Sequence, residues 1–329
     1  MTVDAIGLAL LFPGQGSQHV GMGQDLAERY PEARLVFEEA DDVLDFRLSR
    51  LAWEGPEDEL TRTRNAQPAL LAHSMAVYRV LAGRLGPVLV GAGHSLGEFS
   101  AHVAAGTMSL REGLTTVRRR GELMYQAGTE RPGSMLAVLG LADDVVDDTC
   151  RAACTEGSVV VPANYNTRGQ VVVSGDLEAL DRVAVTFQEL GARRVVPLSV
   201  SGAFHSPLMQ PARDGLAESL AEVQLQDPAF PVVSNVAAQP VRDADEARDL
   251  LVRQLTSPVL WTATVATMLE LGANTFAELG PGSVLSGLNR RNAKRVPCVA
   301  LGDVDGIEEY LRAADTAEEE SDGEARSDG

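Results

Sequence analysis

The residues with the clearest chemical promise lie in Gly93-His94-Ser95-Leu96-Gly97, a match to the pattern G-x-S-x-G. Glycine on both sides of the serine permits a sharp strand-to-helix turn and leaves the hydroxyl exposed at the edge of a sheet. A serine so placed also sits near a helix N-terminus, where unpaired main-chain N–H groups and the helix dipole favour an oxyanion. A tight turn without chemistry fits the same five residues. The context favours a nucleophile, because an apolar run precedes the motif and a helical stretch follows it.

A serine hydroxyl needs a base to take its proton, and the chain holds five histidines: His19, His73, His94, His102 and His205. His94 adjoins the serine, so its ring points elsewhere. His102 lies on the helix behind the turn, and His73 sits among Leu70, Leu71 and Val77, where packing is its expected work. His19 follows a glycine turn and is placed to line a cleft. His205, in Gly202-Ala203-Phe204-His205 between a strand end and a helix start, is the best candidate, since active sites of α/β sheets assemble at strand ends. Its alternative is a structural loop histidine. The following Ser206-Pro207 helix start would help keep it neutral.

A third group of interest is the run Arg118, Arg119 and Arg120 on a helix expected from Leu110 to about Ala127. A guanidinium binds a carboxylate through two parallel hydrogen bonds and stays charged at any working pH. At about 100° per residue, Leu110, Leu114, Val117, Gly121 and Met124 centre one apolar face, with Arg119 opposite and Arg118 and Arg120 on its flanks. Periodicity removes Arg119 and leaves the other two open. Cys150, Cys154 and Cys298 form neither a disulfide framework nor a zinc-type pair, and Cys150 and Cys154 read as helix packing. No metal site is expected.

These groups need elements to hold them. Ile6–Phe12 reads as a strand ending in Pro13-Gly14-Gln15-Gly16-Ser17, and Val88–Ala92 as a second strand running into the serine motif. Ser109 and Glu112 form a capping box that opens the arginine helix. Between 132 and 199 the pattern changes. Met135–Leu139, Val159–Ala163, Gln170–Ser174 and Arg194–Ser199 read as strands, and Asp143–Cys154 and Leu177–Leu190 as helices. That order, βαββαβ, is ferredoxin-like. The expected fold is α/β: a hydrolase-like main body of residues 1–130 and 200–312 with an inserted ferredoxin-like subdomain at 131–199. Ser206-Pro207 opens a further helix, expected to run to about Val223.

The chain has 329 residues, enough for one large domain or two subdomains, with 45% hydrophobic and 23% charged residues. Its net charge of -19 argues against nucleic-acid binding. Seven acidic residues from Asp315 onward face the single Arg326, and no apolar side chain larger than alanine accompanies them. Residues 313–329 are therefore expected to form a disordered acidic tail. The apolar run at Ala5 has no basic segment before it, and no stretch reaches membrane length, so a cytoplasmic protein is expected.

Further stretches join these: Phe12-Pro13-Gly14-Gln15-Gly16-Ser17-Gln18, Glu98 after the serine motif, Arg119-Arg120-Gly121, Asn164-Tyr165-Asn166, Ser206-Pro207 after His205, Gln254-Leu255 and Glu278-Leu279-Gly280-Pro281-Gly282. Together, in this order, they resemble the malonyl-CoA:acyl-carrier-protein transacylase family of fatty-acid synthesis, whose relatives include the acyltransferase domains of polyketide synthases. The resemblance covers most of the chain and carries the same fold expectation.

It implies Ser95 as nucleophile, His205 as general base and acid, and the main-chain N–H groups of Gln15 and Leu96 as oxyanion hole. It makes the main-chain carbonyl of Gln254 the group that orients the histidine, so that a Ser–His dyad works without a catalytic aspartate. Its Arg-Gly pair selects Arg120 as the carboxylate ligand, with Gly121 permitting close packing. Phe204 matches the loop form of malonyl-using relatives, where an aromatic ring crowds the carbon that methylmalonate branches. The implied substrates are malonyl-CoA and the phosphopantetheine thiol of holo acyl carrier protein, with no bound cofactor. Acyl carrier proteins are acidic, so basic clusters at Arg193-Arg194, Arg290-Arg291 and Lys294-Arg295 are docking candidates, and Arg194 matches a family position near the cleft mouth. A monomer without membrane or nucleic-acid partners is expected. A serine esterase shares the serine motif but should follow it with an acidic residue and then histidine. A discrete polyketide acyltransferase shares every motif.

Overall fold

A computed structural model describes residues 7–327, with side chains described up to residue 316. Its main sheet has six strands: β1 (Leu8–Phe12), β2 (Val88–Gly93), β7 (Val232–Val233), β8 (Pro240–Val241), β9 (Thr275–Leu279) and β10 (Cys298–Leu301). The spatial order is β10-β9-β1-β2-β7-β8, with every pair parallel except β7 and β8. The burial of β1 matches its interior place in a largely parallel sheet. All five residues are buried, Leu8, Leu10 and Phe12 in the larger core and Ala9 and Leu11 in a second core with Trp261 and Phe276. A strand covered on both faces loses the usual alternation and reads as one apolar run.

The second sheet takes β3 (Gly133–Leu139), β4 (Val160–Thr167), β5 (Gln170–Asp176) and β6 (Arg194–Pro197), in the antiparallel order β4-β5-β3-β6. With helices at Asp143–Ala153 and Leu177–Glu189, this is the ferredoxin-like arrangement. One face buries Leu136, Val138, Val171 and Val173 against Val146, Cys150, Val183 and Phe187. Met135 and Val172, on the opposite face, belong to the main core. The small sheet thus serves as its own core and as the docking face toward the main body. Its strand β4 is also tied in by main-chain bonds, Tyr165 N–H to the Val259 carbonyl at 2.9 Å and Val259 N–H to that of Ala163 at 2.8 Å.

The arginine helix spans Leu110–Glu130 and opens on the full Ser109–Glu112 capping box. The helix expected from Ser206 to Val223 is divided into a short 3-10 turn, Pro207–Met209, and a helix, Gln210–Ala221. The expected acidic tail departs from its reading: the chain is helical over Val304–Ser327. Alanines and glutamates have high helix propensity even where no apolar face is present. Near its start this helix is anchored by the fully buried Ile307, and Asp315 pairs with Arg84. No helix among the described residues is long and apolar enough to cross a membrane.

Candidate active site

Strand β2 runs into the elbow, and the helix Leu96–Ala104 leaves it. Ser95 sits between them at φ 52°, ψ −106°, a conformation costly for any residue with a Cβ. The flanking glycines do not share that left-handed φ. Their role is space: a Cβ on Gly97 would lie 1.9 Å from the Phe12 carbonyl oxygen, and one on Gly93 would lie 1.9 Å from the Gly97 carbonyl carbon. Glycine therefore lets the elbow close onto the end of β1, while the serine itself carries the strain. Asn235, just after β7, fixes that strained peptide. Its Oδ1 accepts from Ser95 N–H at 2.7 Å and its Nδ2 donates to the Gly93 carbonyl at 2.7 Å.

Ser95 Oγ lies 2.8 Å from His205 Nε2. His205 also has positive φ, 57°, which aims its ring back from the loop into the elbow. Its Nδ1 is 2.9 Å from the Gln254 carbonyl and 3.2 Å from that of Ser257. Carbonyls only accept, so Nδ1 carries the hydrogen and Nε2 presents its lone pair to the serine hydroxyl. Burial, and then the charge of Arg120, push this imidazole down to about 3. The ring is thus a neutral base at any working pH. The dominant cause is desolvation rather than the helix start expected to do this work.

Arg120 is wholly buried. Its Nη1 donates to Gln67 Oε1 at 2.8 Å, and its Nη2 donates to Gln254 Oε1 at 2.8 Å and to Ser95 Oγ at 3.1 Å. All three acceptors are neutral, so a buried cation beside the serine faces no carboxylate within hydrogen-bond reach among the described residues. Burial lowers this guanidinium to about 9, and its face rests 5.3 Å from the Phe99 ring centre. Arg118 turns away to Glu122 and Asn65, and Arg119 is half exposed. Tertiary packing makes the choice that periodicity left open.

Gln15 lies in the loop after β1 and is held by Thr63 Oγ1, which accepts from its Nε2 at 3.2 Å. A Cβ on Gly14 would lie 2.4 Å from the His94 carbonyl oxygen, so this loop packs directly on the elbow. Leu96 is the first residue of the elbow helix, where the main-chain N–H is one of the unpaired donors of a helix start. A cleft of about 1240 Å³ opens beside Gln15 and is lined also by Thr63, Tyr125, Leu198 and Ser201.

The remaining histidines separate from Ser95. His94 Nε2 meets Asn166 Oδ1 at 2.8 Å, His102 Nδ1 meets Thr107 Oγ1 at 3.1 Å, and His73 Nε2 meets the Gly302 carbonyl at 2.9 Å. His19 is exposed, near the Ser17 carbonyl. Phe204 is buried in the main core beside Gly202. Arg194 is exposed on β6, the edge strand of the small sheet.

Sequence reasoning missed Asn235, Gln67 and the side-chain role of Gln254, none of which carries a local signal. Glu98 did carry a local signal, since a carboxylate among Leu96, Phe99 and Ala101 on one short helix is an anomaly. Glu98 is fully buried; its Oε2 accepts from Gln254 Nε2 at 2.6 Å and from Asn235 N–H at 3.2 Å. Among the described residues no cluster of His, Cys, Asp and Glu could hold a metal ion.

Comparison with known proteins agrees with this geometry. The sequence profile of the acyl transferase domain matches residues 9–317. The malonyl CoA-acyl carrier protein transacylase of Bacillus subtilis is 42% identical over 316 residues, 96% of this chain and 98% of that protein. Its counterpart in Escherichia coli K12 is 43% identical over 297 residues, 90% and 96% of the two chains. Among solved structures, an acyl carrier protein S-malonyltransferase from Vibrio cholerae superposes with a TM-score of 0.88 at 44% identity, covering 92% of this chain and 98% of that one. A malonyl-transacylase in complex with its type II polyketide acyl-carrier protein gives a TM-score of 0.90 at 41% identity, covering 93% and 99%. A serine elbow, a neutral histidine held by carbonyls and a buried arginine thus stand in a chain matched over nine-tenths of its length or more by malonyl CoA-acyl carrier protein transacylases, and the protein belongs to the acyl transferase domain family, among the malonyl-CoA–acyl carrier protein transacylases.

Proposed function

We propose that this chain transfers the malonyl group of malonyl-CoA to the phosphopantetheine thiol of holo acyl carrier protein through an ester on Ser95. The observation that carries this reading is the position of the Arg120 guanidinium, 3.1 Å from Ser95 Oγ and bonded to no carboxylate among the described residues. A buried cation beside the nucleophile calls for an acyl group that brings its own negative charge. A general esterase has no use for it, and the contact of His205 with carbonyls rather than an acidic residue also disfavours that reading.

The reaction runs in two halves. Ser95 Oγ attacks the thioester carbonyl carbon while its proton passes to His205 Nε2. Charge developing on the carbonyl oxygen meets the N–H groups of Gln15 and Leu96. Collapse breaks the carbon–sulfur bond, and the coenzyme A thiolate takes the proton back from His205. The carrier thiol then gives its proton to the same nitrogen, attacks the ester carbonyl, and Ser95 leaves with that proton. Gln254 and Ser257 hold the ring in one tautomer throughout. No cofactor takes part.

Several finer assignments rest on the same reading. Phe204 acts against a methyl branch on the acyl group, and Arg194 with its neighbours receives the acidic carrier. The enzyme works in the cytoplasm as a monomer and supplies extension units for fatty-acid synthesis. The solved complex with a polyketide carrier favours a second setting for the same chemistry, and parallel assays against fatty-acid and polyketide carriers separate the two. Intact-mass measurement after mixing with malonyl-CoA, then with holo carrier, tests the central claim. The wild type should gain one malonyl group and lose it to the carrier, while Ser95→Ala should gain none. His205→Ala should slow acylation by roughly two to four powers of ten. An adduct retained in Ser95→Ala overturns the assignment.

A further inference from the structure

Arg120 has no carboxylate partner, yet it does have a counter-charge at one remove. The side-chain amide of Gln254 lies between two buried ionisable groups. Its Oε1 accepts from Arg120 Nη2 at 2.8 Å, and its Nε2 donates to Glu98 Oε2 at 2.6 Å. The amide dipole thus connects carboxylate and guanidinium, with its oxygen toward the cation and its N–H toward the anion. Nε2 also donates to the Ser95 carbonyl at 3.0 Å, so the same amide touches the nucleophile's own main chain. Glu98 Oε2 accepts two hydrogen bonds, whereas Oε1 makes none of ordinary geometry with the described residues, the Ser234 side chain being its nearby polar group.

We propose that Glu98 is a proton-exchanging positioning residue for the acyl site: it balances Arg120 through Gln254 while the site is empty and takes up a proton when an anionic acyl group engages Arg120. This rests on the malonyl reading above. A malonyl carboxylate paired with Arg120 brings a second negative charge into a pocket that holds one positive charge. Two buried carboxylates around one cation do not both stay ionised at little cost. The malonyl carboxylate has two hydrogen bonds from the guanidinium to gain. Glu98 has an oxygen, Oε1, that can receive a proton while Oε2 keeps both of its bonds.

The surroundings leave Glu98 as the group free to move. On its own helix His102 is buried and held down at about 4, and His94 at the end of β2 is also lowered by burial. From the histidine loop His205 sits at about 3, and from the helix Thr63–Leu81, packed behind, His73 sits at about 4. The arginine helix sends only Arg120 to it, and β1 and β7 carry no titratable residue. Burial pushes Glu98 itself up to about 7, into the working range.

The sign follows from linkage. An anion on Arg120 raises the Glu98 value further, so its binding is strongest below the free value of about 7 and weakens above it. The weakening continues up to the value in the complex, and a neutral acyl group does not produce it. The test measures kcat/KM for formation of the Ser95 ester from malonyl-CoA and from acetyl-CoA between pH 6 and 8, below the Arg120 value of about 9. Taking their ratio removes pH effects common to both, such as those of His205 and the leaving thiol. In the wild type the malonyl-to-acetyl ratio should be level below about pH 7 and then fall, by up to about tenfold per unit. Glu98→Gln imitates the protonated acid, so its ratio should be level throughout and exceed that of the wild type at pH 8. A level ratio in the wild type overturns the proposal without recourse to any variant. A slope retained in Glu98→Gln overturns it as well, because the proton then belongs elsewhere. Calorimetry of malonyl-CoA binding to Ser95→Ala in two buffers of different ionisation enthalpy gives a second reading. Proton uptake near pH 7.5 supports the proposal, and none overturns it. If no malonyl ester forms at any pH, the malonyl reading itself has failed, which is a separate outcome.

Discussion

Ser95 and His205 both hold positive φ, and both were chosen from the sequence for chemistry rather than for backbone shape. That strain aims the hydroxyl and the imidazole at each other across 2.8 Å. At this scale the proposed selectivity divides into two filters. Arg120→Ala removes the cation that an uncharged acyl group would leave unpaired. It should lower malonyl kcat/KM by roughly two to four powers of ten and raise the relative rate with acetyl-CoA, since breaking a buried charge pair costs about 3–5 kcal/mol. Phe204→Ser should admit methylmalonyl-CoA and still reject acetyl-CoA. The Phe204 ring is buried in the main core, so this variant should also lose about 3–5 kcal/mol of stability, and denaturant titration should accompany its assay. Competition among the three thioesters checks both variants. Unchanged preference in both would show that neither side chain shapes the pocket.

The elbow is the element on which the rest depends, and it is held from both sides. From one side β1 meets Gly97 so closely that Gly97→Ala should cost about 3 kcal/mol through forced separation of strand and helix. From the other side Asn235 bonds both the Ser95 N–H and the Gly93 carbonyl. Asn235→Ala leaves two buried main-chain groups unpaired, at a cost of about 1–3 kcal/mol each, and frees Ser95 to relax from its strained φ. Ester formation should then fall at least tenfold at a pH and temperature where circular dichroism shows the fold intact. A rate equal to that of the wild type would mean that the turn keeps its shape without Asn235.

Buried neutral histidines set the acid limit of the whole molecule. His73 and His102 are pushed down to about 4 and His205 to about 3, all from 6.5 and all chiefly by burial. Each binds a proton in the unfolded chain before it does so in the folded one. Their contribution is therefore fully present above pH 6.5 and is lost as pH falls through 4 and then 3. Glu98 runs the other way: raised from 4.5 to about 7, it costs stability increasingly across that interval. His94 is lowered by burial as well, while Glu278 and Asp143 are raised like Glu98; the histidine shifts are the larger set, so urea midpoints should fall as pH drops from 6.5 to 4. His102→Gln should make that slope shallower. An equal slope in the variant would remove His102 from the account.

Much of this protein was legible in its sequence because the signals are local. Apolar runs marked β1 and β2, turn residues and periodicity marked the βαββαβ unit, and a capping box marked the start of the arginine helix. Each depends on neighbours within one or two turns of chain. The serine motif carries its own context for the same reason. The helical state of residues 313–327, expected to be disordered, was missed because the lack of apolar side chains there outweighed alanine and glutamate propensity. What only tertiary structure decided is the set of contacts between residues far apart in the chain. The choice of Arg120 over Arg118 follows from which flank meets Gln67 and Gln254. The neutral state of His205 follows from burial under elements that its own loop does not contain. Glu98 and Asn235 lie 137 residues apart and Glu98 and Gln254 156 apart, yet they form one hydrogen-bonded network. Sequence spacing carries periodicity along an element but not the distance between elements, and a buried charge finds its balance only when the elements close around it.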